Sequence, residues 1–277
     1  MSTESTRKYY DSFGEREWFR LENPEDGAVE YAVTRHFLEE NLTQKSRILD
    51  IGGGPGRYAI WLAQRNHQVV LADLSPKLLE IAQDKIIEAG VNELVEEITE
   101  ANVCNLSRWS DNDFDAVLCL GPYYHLPNSD ERQMATKEIA RVLRPGGLLF
   151  AALMPRMVFL RRTLAIPDER QRLRQADFVA RVLDEGIFEN DIPGRFTKGY
   201  GFIPEEVEEF FDGHGFAKIG LYAAEGITIG MQKSLYELVE NDPETYKAAF
   251  DIIVKTADDP SILGMAAHLL YIGRKIH

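Results

Sequence analysis

Four glycines fall within five positions, Gly52, Gly53, Gly54 and Gly56, directly after an apolar run that ends in Asp50 and Ile51. Glycine loses more backbone freedom on folding than any other residue, so such a cluster belongs where something must approach the backbone closely. A second carboxylate, Asp73, closes the next apolar run, VVLAD. A bare turn offers backbone N–H groups, and an acid one strand away accepts hydrogen bonds from sugar hydroxyls. Together they suit a nucleoside. A third chemical group is the segment Leu120-Gly121-Pro122-Tyr123-Tyr124-His125-Leu126. There His125 is the candidate base or orienting donor, and Tyr124 the candidate lining of a transfer path.

These groups need elements to carry them. Residues 46–155 alternate between continuous apolar runs and helical patterns. SRILDI, QVVLAD, LVEEITEA, FDAVLCL and GLLFAALM read as strands. The segment SPKLLEIAQDKIIEAG reads as a helix, with Ser75 as its N-cap, Pro76 at its first position and Leu78, Ala82 and Ile86 on one apolar face. Such alternation predicts a doubly wound α/β fold around a mostly parallel sheet covered on both faces, whose ligands sit at the carboxyl ends of the strands. The expected organisation is an N-terminal helical cap over 1–44, a nucleotide-type core over 45–155, a lid insertion over 156–203, and a C-terminal part of the core over 204–277. In the cap, Val29, Val33 and Phe37 form a stripe able to pack on the sheet.

Two familiar phosphate loops fail here. A P-loop needs Lys-Ser or Lys-Thr after its last glycine, and Gly56 is followed by Arg57-Tyr58. A dinucleotide fingerprint counted from Gly52 needs glycine where Arg57 stands, which disfavours a nicotinamide enzyme. Instead, ILDIGGGPGR with VVLADLSPKLLEIAQ strongly resembles motifs I and II of the class I S-adenosylmethionine-dependent methyltransferases. FDAVLCLGPYYHL and RVLRPGGLLFAAL resemble that family's later motifs, in the same order and spacing. The resemblance covers about residues 45–155. In detail it is similar to bacterial small-molecule methyltransferases with a GP-x-YHL segment.

The resemblance implies a seven-stranded Rossmann-like sheet, S-adenosylmethionine as cofactor, and a small-molecule acceptor methylated on O, N or S. It places Gly52, Gly53, Gly54 and Gly56 against the cofactor, Asp73 with Leu74 at its ribose, and Asp50 under its methionine end. A turn asparagine, Asn102, stands with Val103 where relatives often carry an acid for the adenine, with Glu100 as the fallback. Leu120 opens the substrate-facing segment. Tyr10 and Arg20, in the N-terminal helices, are the expected partners of the cofactor's carboxylate end. The segment is not Asn-Pro-Pro-Tyr or Asp-Pro-Pro-Tyr, so methylation of a planar amide or nucleobase amino group is unsupported.

Charge narrows the partners. The formal net charge is −14 over 277 residues, against the basic patch that nucleic-acid binding needs, so no nucleic-acid partner is expected. An RNA or protein methyltransferase and a non-catalytic cofactor-binding protein remain the alternatives. The insertion is basic by contrast, and its Arg156 and Arg161 are candidates for binding a substrate carboxylate or phosphate. Cys104 and Cys119 fall in or beside strands, which predicts free thiols. The polar start and the lack of a long apolar run predict a cytoplasmic chain with no membrane partner. No His or Cys spacing suggests a metal. A homodimer is common in the resembled family.

Overall fold

A computed structural model describes residues 2–23, 27–42, 44–192 and 195–277. Seven strands make the central sheet in the order β3-β2-β1-β4-β5-β9-β8. They are β1 (Arg47–Ile51), β2 (Gln68–Asp73), β3 (Val95–Glu100), β4 (Phe114–Cys119), β5 (Leu143–Pro155), β8 (Phe216–Ala223) and β9 (Leu269–Lys275). The first five run parallel; β9 is antiparallel to both β5 and β8. Along β1, Ile48 packs into the core on one face, and Leu49 and Ile51 into the core on the other. Alternating apolar side chains that are all buried require helices on both faces, which is why these strands read as continuous apolar runs.

The N-terminal helices are α1 (Ser2–Phe13), α2 (Glu15–Arg20) and α3 (Ala28–Asn41). Val29, Val33 and Phe37 are buried against the sheet through α3, as their spacing predicts. Helices α4 (Arg57–Ala63), α5 (Pro76–Glu88) and α6 (Ser129–Val142) connect the parallel strands. Ser75 caps α5 by accepting the N–H of Leu78. Among the described residues no helix is long and apolar enough to cross a membrane.

The insertion departs from a purely helical lid. After α7 (Met157–Ala165) and α8 (Ala176–Ala180) it carries a hairpin of β6 (Ile187–Glu189) and β7 (Lys198–Phe202). Strand β7 continues the sheet beside the end of β5, at Met154–Gly201 and Pro155–Phe202. The hairpin hides in the sequence because β7 carries two glycines, residues that weaken a strand pattern. They are there for space: a Cβ on Gly201 would lie 2.5 Å from the Arg156 Cα, and one on Gly199 would lie 2.7 Å from Phe159 and Phe196. Phe159, Phe188 and Phe196 form the insertion's own core, with Tyr124 buried in it and Tyr9 packed against it. The remaining helices, α9 (Pro204–Asp212), α10 (Gln232–Asn241), α11 (Pro243–Lys255) and α12 (Pro260–Leu263), lie between the last strands.

Candidate functional site

A cavity enclosing about 1060 Å³, mouth included, lies across the carboxyl ends of β1, β2 and β4, under α1 and α2. The glycine turn is its floor. Both Gly52 N–H and Gly53 N–H donate to the Ala72 carbonyl, at 2.7 and 3.2 Å. Asp73 fastens the turn from the neighbouring strand: Oδ2 accepts Gly54 N–H at 2.9 Å, and Oδ1 accepts Ser75 N–H at 2.8 Å. The glycines do different jobs. A Cβ on Gly52 would strike the Pro122 ring at 2.6 Å, and one on Gly53 would meet Asp50 Oδ2 at 2.6 Å. Gly54 has φ +54°, and a Cβ there would meet only Leu78 Cδ1, at an ordinary 3.7 Å, so of the three it is the one not pressed by protein. Gly56, at φ +85°, does not line the cavity; it opens α4 and packs toward Leu71 and Ala82.

Asp50 is 1% exposed, yet neither of its carboxylate oxygens makes a well-formed hydrogen bond. Burial, helped by the nearby Asp73 charge and only weakly opposed by the Ala59 N–H, pushes its pKa up to about 7. Burial also pushes Asp73 up to about 6, against the pull of its N–H donors. An orphaned buried carboxylate beside a cradle without side chains is what a donor-bearing, cationic ligand would satisfy, since buried polar atoms rarely stay unpaired. These residues therefore fit S-adenosylmethionine.

Tyr10, which the resemblance puts at the cofactor's carboxylate end, lines the cavity with its Oη in a 2.7 Å hydrogen bond to His125 Nε2. His125 sits in a single turn, Pro122–His125, and is 6% exposed. Burial lowers its pKa to about 4, so the ring is neutral at pH 7. The Tyr124 ring lies 4.9 Å from it, and burial raises the Tyr124 and Tyr10 hydroxyl pKa values. Helix α1 is strapped over the strand ends by Tyr10, by Asp11, which accepts Ser75 Oγ at 2.6 Å, and by Arg7, which meets Glu100 at 3.2 Å. Arg20 of α2 donates to Glu17 at 2.8 Å and to Glu30 at 3.0 Å, and both Arg20 and Glu17 line the cavity.

Of the residues singled out by the sequence, the cavity gathers Tyr10, Arg20, Asp50, Gly52, Gly53, Gly54, Asp73, Leu74, Asn102, Val103, Leu120, Tyr124 and His125. Asn102 spends its Oδ1 on the Cys104 N–H at 2.9 Å, the pattern of a turn asparagine. Arg156 and Arg161 do not line it. Arg156 is 9% exposed and donates to the Leu183, Asp184 and Gly201 carbonyls, bracing the insertion from within. Arg161 donates to the Met265 carbonyl, tying the insertion to the segment before β9. Both guanidiniums serve the fold through backbone carbonyls, which composition could not reveal. The sequence reading passed over Thr6, Arg7, Arg57 and Tyr58 in the wall. Cys104 and Cys119 are free thiols.

A family model described as a methyltransferase domain matches residues 48–147. The methyltransferase GfsG of Streptomyces halstedii is 35% identical over 107 residues, 38% of this chain and 37% of that protein. The glycine N-methyltransferase of Mus musculus is 37% identical over 114 residues, 37% of this chain and 38% of that protein. The matches thus span about two fifths of these relatives' length. Among solved structures, a SAM-dependent methyltransferase of Methanosarcina mazei aligns over 87% of this chain and 97% of its own, with TM-score 0.59 and 19% identity. A Burkholderia thailandensis 1,6-didemethyltoxoflavin N1-methyltransferase, solved with its substrate and S-adenosylhomocysteine, aligns over 98% and 88%, with TM-score 0.59 and 16% identity. Residues 48–147, whose motifs sit on the strand ends that frame the cavity, thus match the methyltransferase domain family, and the whole chain shares its fold with solved methyltransferases.

Proposed function

We propose that this chain transfers the methyl group of S-adenosylmethionine to O, N or S of a small molecule. The observation that carries the reading is one cavity lined both by the glycine turn, Asp50 and Asp73 and by Tyr10, Tyr124 and His125. When bound, the cofactor supplies an activated methyl group, so the protein's work is alignment, worth up to ~7–11 kcal/mol of barrier in favourable cases. Gly54 and the Asp73 carboxylate hold the nucleoside, and Asp50 and Arg20 hold the methionine end. Leu74, Asn102 and Val103 border the adenine side, and Leu120 opens the acceptor-facing segment. Neutral His125, bonded to Tyr10, orients the acceptor and accepts its proton where one must leave. Cover by α1 and α2, the aromatic lid and the net charge of −14 favour a small acceptor over RNA.

An acceptor screen read by S-adenosylhomocysteine release tests this, with Asp73→Ala as control. The expected result is turnover on a small acceptor by the wild type and loss of cofactor binding in the variant. Equal cofactor binding by Asp73→Ala overturns the assignment of that carboxylate.

A further inference from the structure

Arg20 stands at the cavity wall on a helix of six residues that buries none of its own side chains. Something outside α2 must hold it. Glu30 of α3, 6% exposed, receives Arg20 Nη1 at 3.0 Å and lies 3.5 Å from His268 Nδ1. His268 Nδ1 in turn meets Glu225 Oε1 at 2.9 Å. Glu225, 2% exposed, is pinned by its other oxygen, which accepts the N–H groups of Ala267 and His268, each at 3.1 Å. The result is a row of alternating charges, Glu17, Arg20, Glu30, His268 and Glu225, running from the cavity to the edge of β8 and β9.

We propose that Glu225, His268 and Glu30 are positioning residues that hold Arg20 at the cavity wall, where the Arg20–Glu17 pair receives the zwitterionic amino-acid end of the cofactor. Arg20 meets the carboxylate and Glu17 the ammonium. This rests on the cofactor reading above. The groups facing His268 are Glu225, Glu30, Arg20 and the Tyr124 ring, 6.0 Å away. Burial disfavours its cation and Arg20 opposes it, but the two carboxylates prevail and raise the pKa to about 9. The ligand atoms of Glu30, Glu225 and His268 also lie within 4.8 Å of one another, a spacing open to a metal ion. Their donors argue otherwise: both carboxylates already accept N–H groups, and a protonated imidazole ligates no metal.

The test is calorimetry on the full chain with two probes, S-adenosylhomocysteine and 5′-methylthioadenosine, which keeps the nucleoside and sulfur but lacks the amino-acid end. His268→Gln and Glu225→Gln are expected to weaken S-adenosylhomocysteine about tenfold while leaving methylthioadenosine within about twofold, the scale of one misaligned charge-assisted hydrogen bond. The preference for S-adenosylhomocysteine over methylthioadenosine should fall more steeply through about pH 9 in the wild type than in His268→Gln, where only the ligand's own ammonium still titrates. Equal loss of both probes, no loss of either, or an equally steep fall in wild type and His268→Gln overturns the proposal. So does stoichiometric Zn²⁺ binding by the wild type that His268→Gln abolishes. If the wild type binds neither probe, the cofactor reading itself falls first.

Discussion

Replacing Asp50 with asparagine should stabilise the ligand-free protein at alkaline pH while removing its response to cofactor. The buried carboxyl has a folded pKa of about 7 against 3.8 for the unconstrained group. Because the folded value is raised, the folded state keeps the proton longer than the unfolded chain does. Stability is therefore lost as pH climbs from about 4 to about 7, and the full loss persists above that. Three units at 1.36 kcal/mol each put the ceiling near 4 kcal/mol. Asparagine cannot ionise, but its amide enters a pocket where the carboxylate makes no well-formed hydrogen bond, which costs about 1–3 kcal/mol at every pH. The pH-dependent part is the signature. Between pH 5 and pH 8 the variant should gain about 3 kcal/mol on the wild type, or roughly 5–10 °C in Tm for a chain of this size. Differential scanning fluorimetry of both proteins across that range measures it. A difference in Tm that stays flat with pH would refute the reasoning, because it would mean Asp50 is either ionised without cost or relieved by a donor.

Other outcomes follow from single contacts. Gly53→Ala should destabilise by about 1–3 kcal/mol in urea unfolding, because its Cβ would lie 2.4 Å from Leu71 Cδ1 and 2.6 Å from Asp50 Oδ2. Tyr10→Phe removes the bond to His125. Steady-state kinetics with an acceptor from the screen should then show turnover lowered about tenfold, below the ~10²–10⁴ scale for proton-transfer groups because Tyr10 acts through His125, with S-adenosylhomocysteine affinity little changed. Arg156→Ala should lower Tm by stranding the carbonyls of Leu183, Asp184 and Gly201. Arg161→Ala should leave acceptor KM near the wild-type value, since that side chain does not line the cavity and is bonded to the Met265 carbonyl.

What the sequence made legible was whatever is fixed by neighbours along the chain. The strands of the parallel core read as apolar runs because each is buried on both faces, and the turn after β1 read as a ligand cradle because its conformation is local. The division of labour within that turn was not local. Gly52 yields to Pro122 and Gly53 to Asp50 and Leu71, so two of its glycines are small because protein, not ligand, presses on them. Likewise Asp73, expected at a sugar, already spends an oxygen on each of two backbone N–H groups that shape the turn. A carboxylate has lone pairs to spare for both tasks, so the same residue can build the cradle and grip what lies in it. Glu30 and His268 went unpaired in the sequence for a stronger version of the same reason. Glu30 sits beside Val29 in a helix whose pattern marks only an apolar face, and His268 precedes the final strand. No periodicity links them. Only closure of the sheet by antiparallel β9 brings the imidazole to the N-terminal cap. A site residue held in that way can be found only by asking, of each buried charge, which other charge makes its burial tolerable.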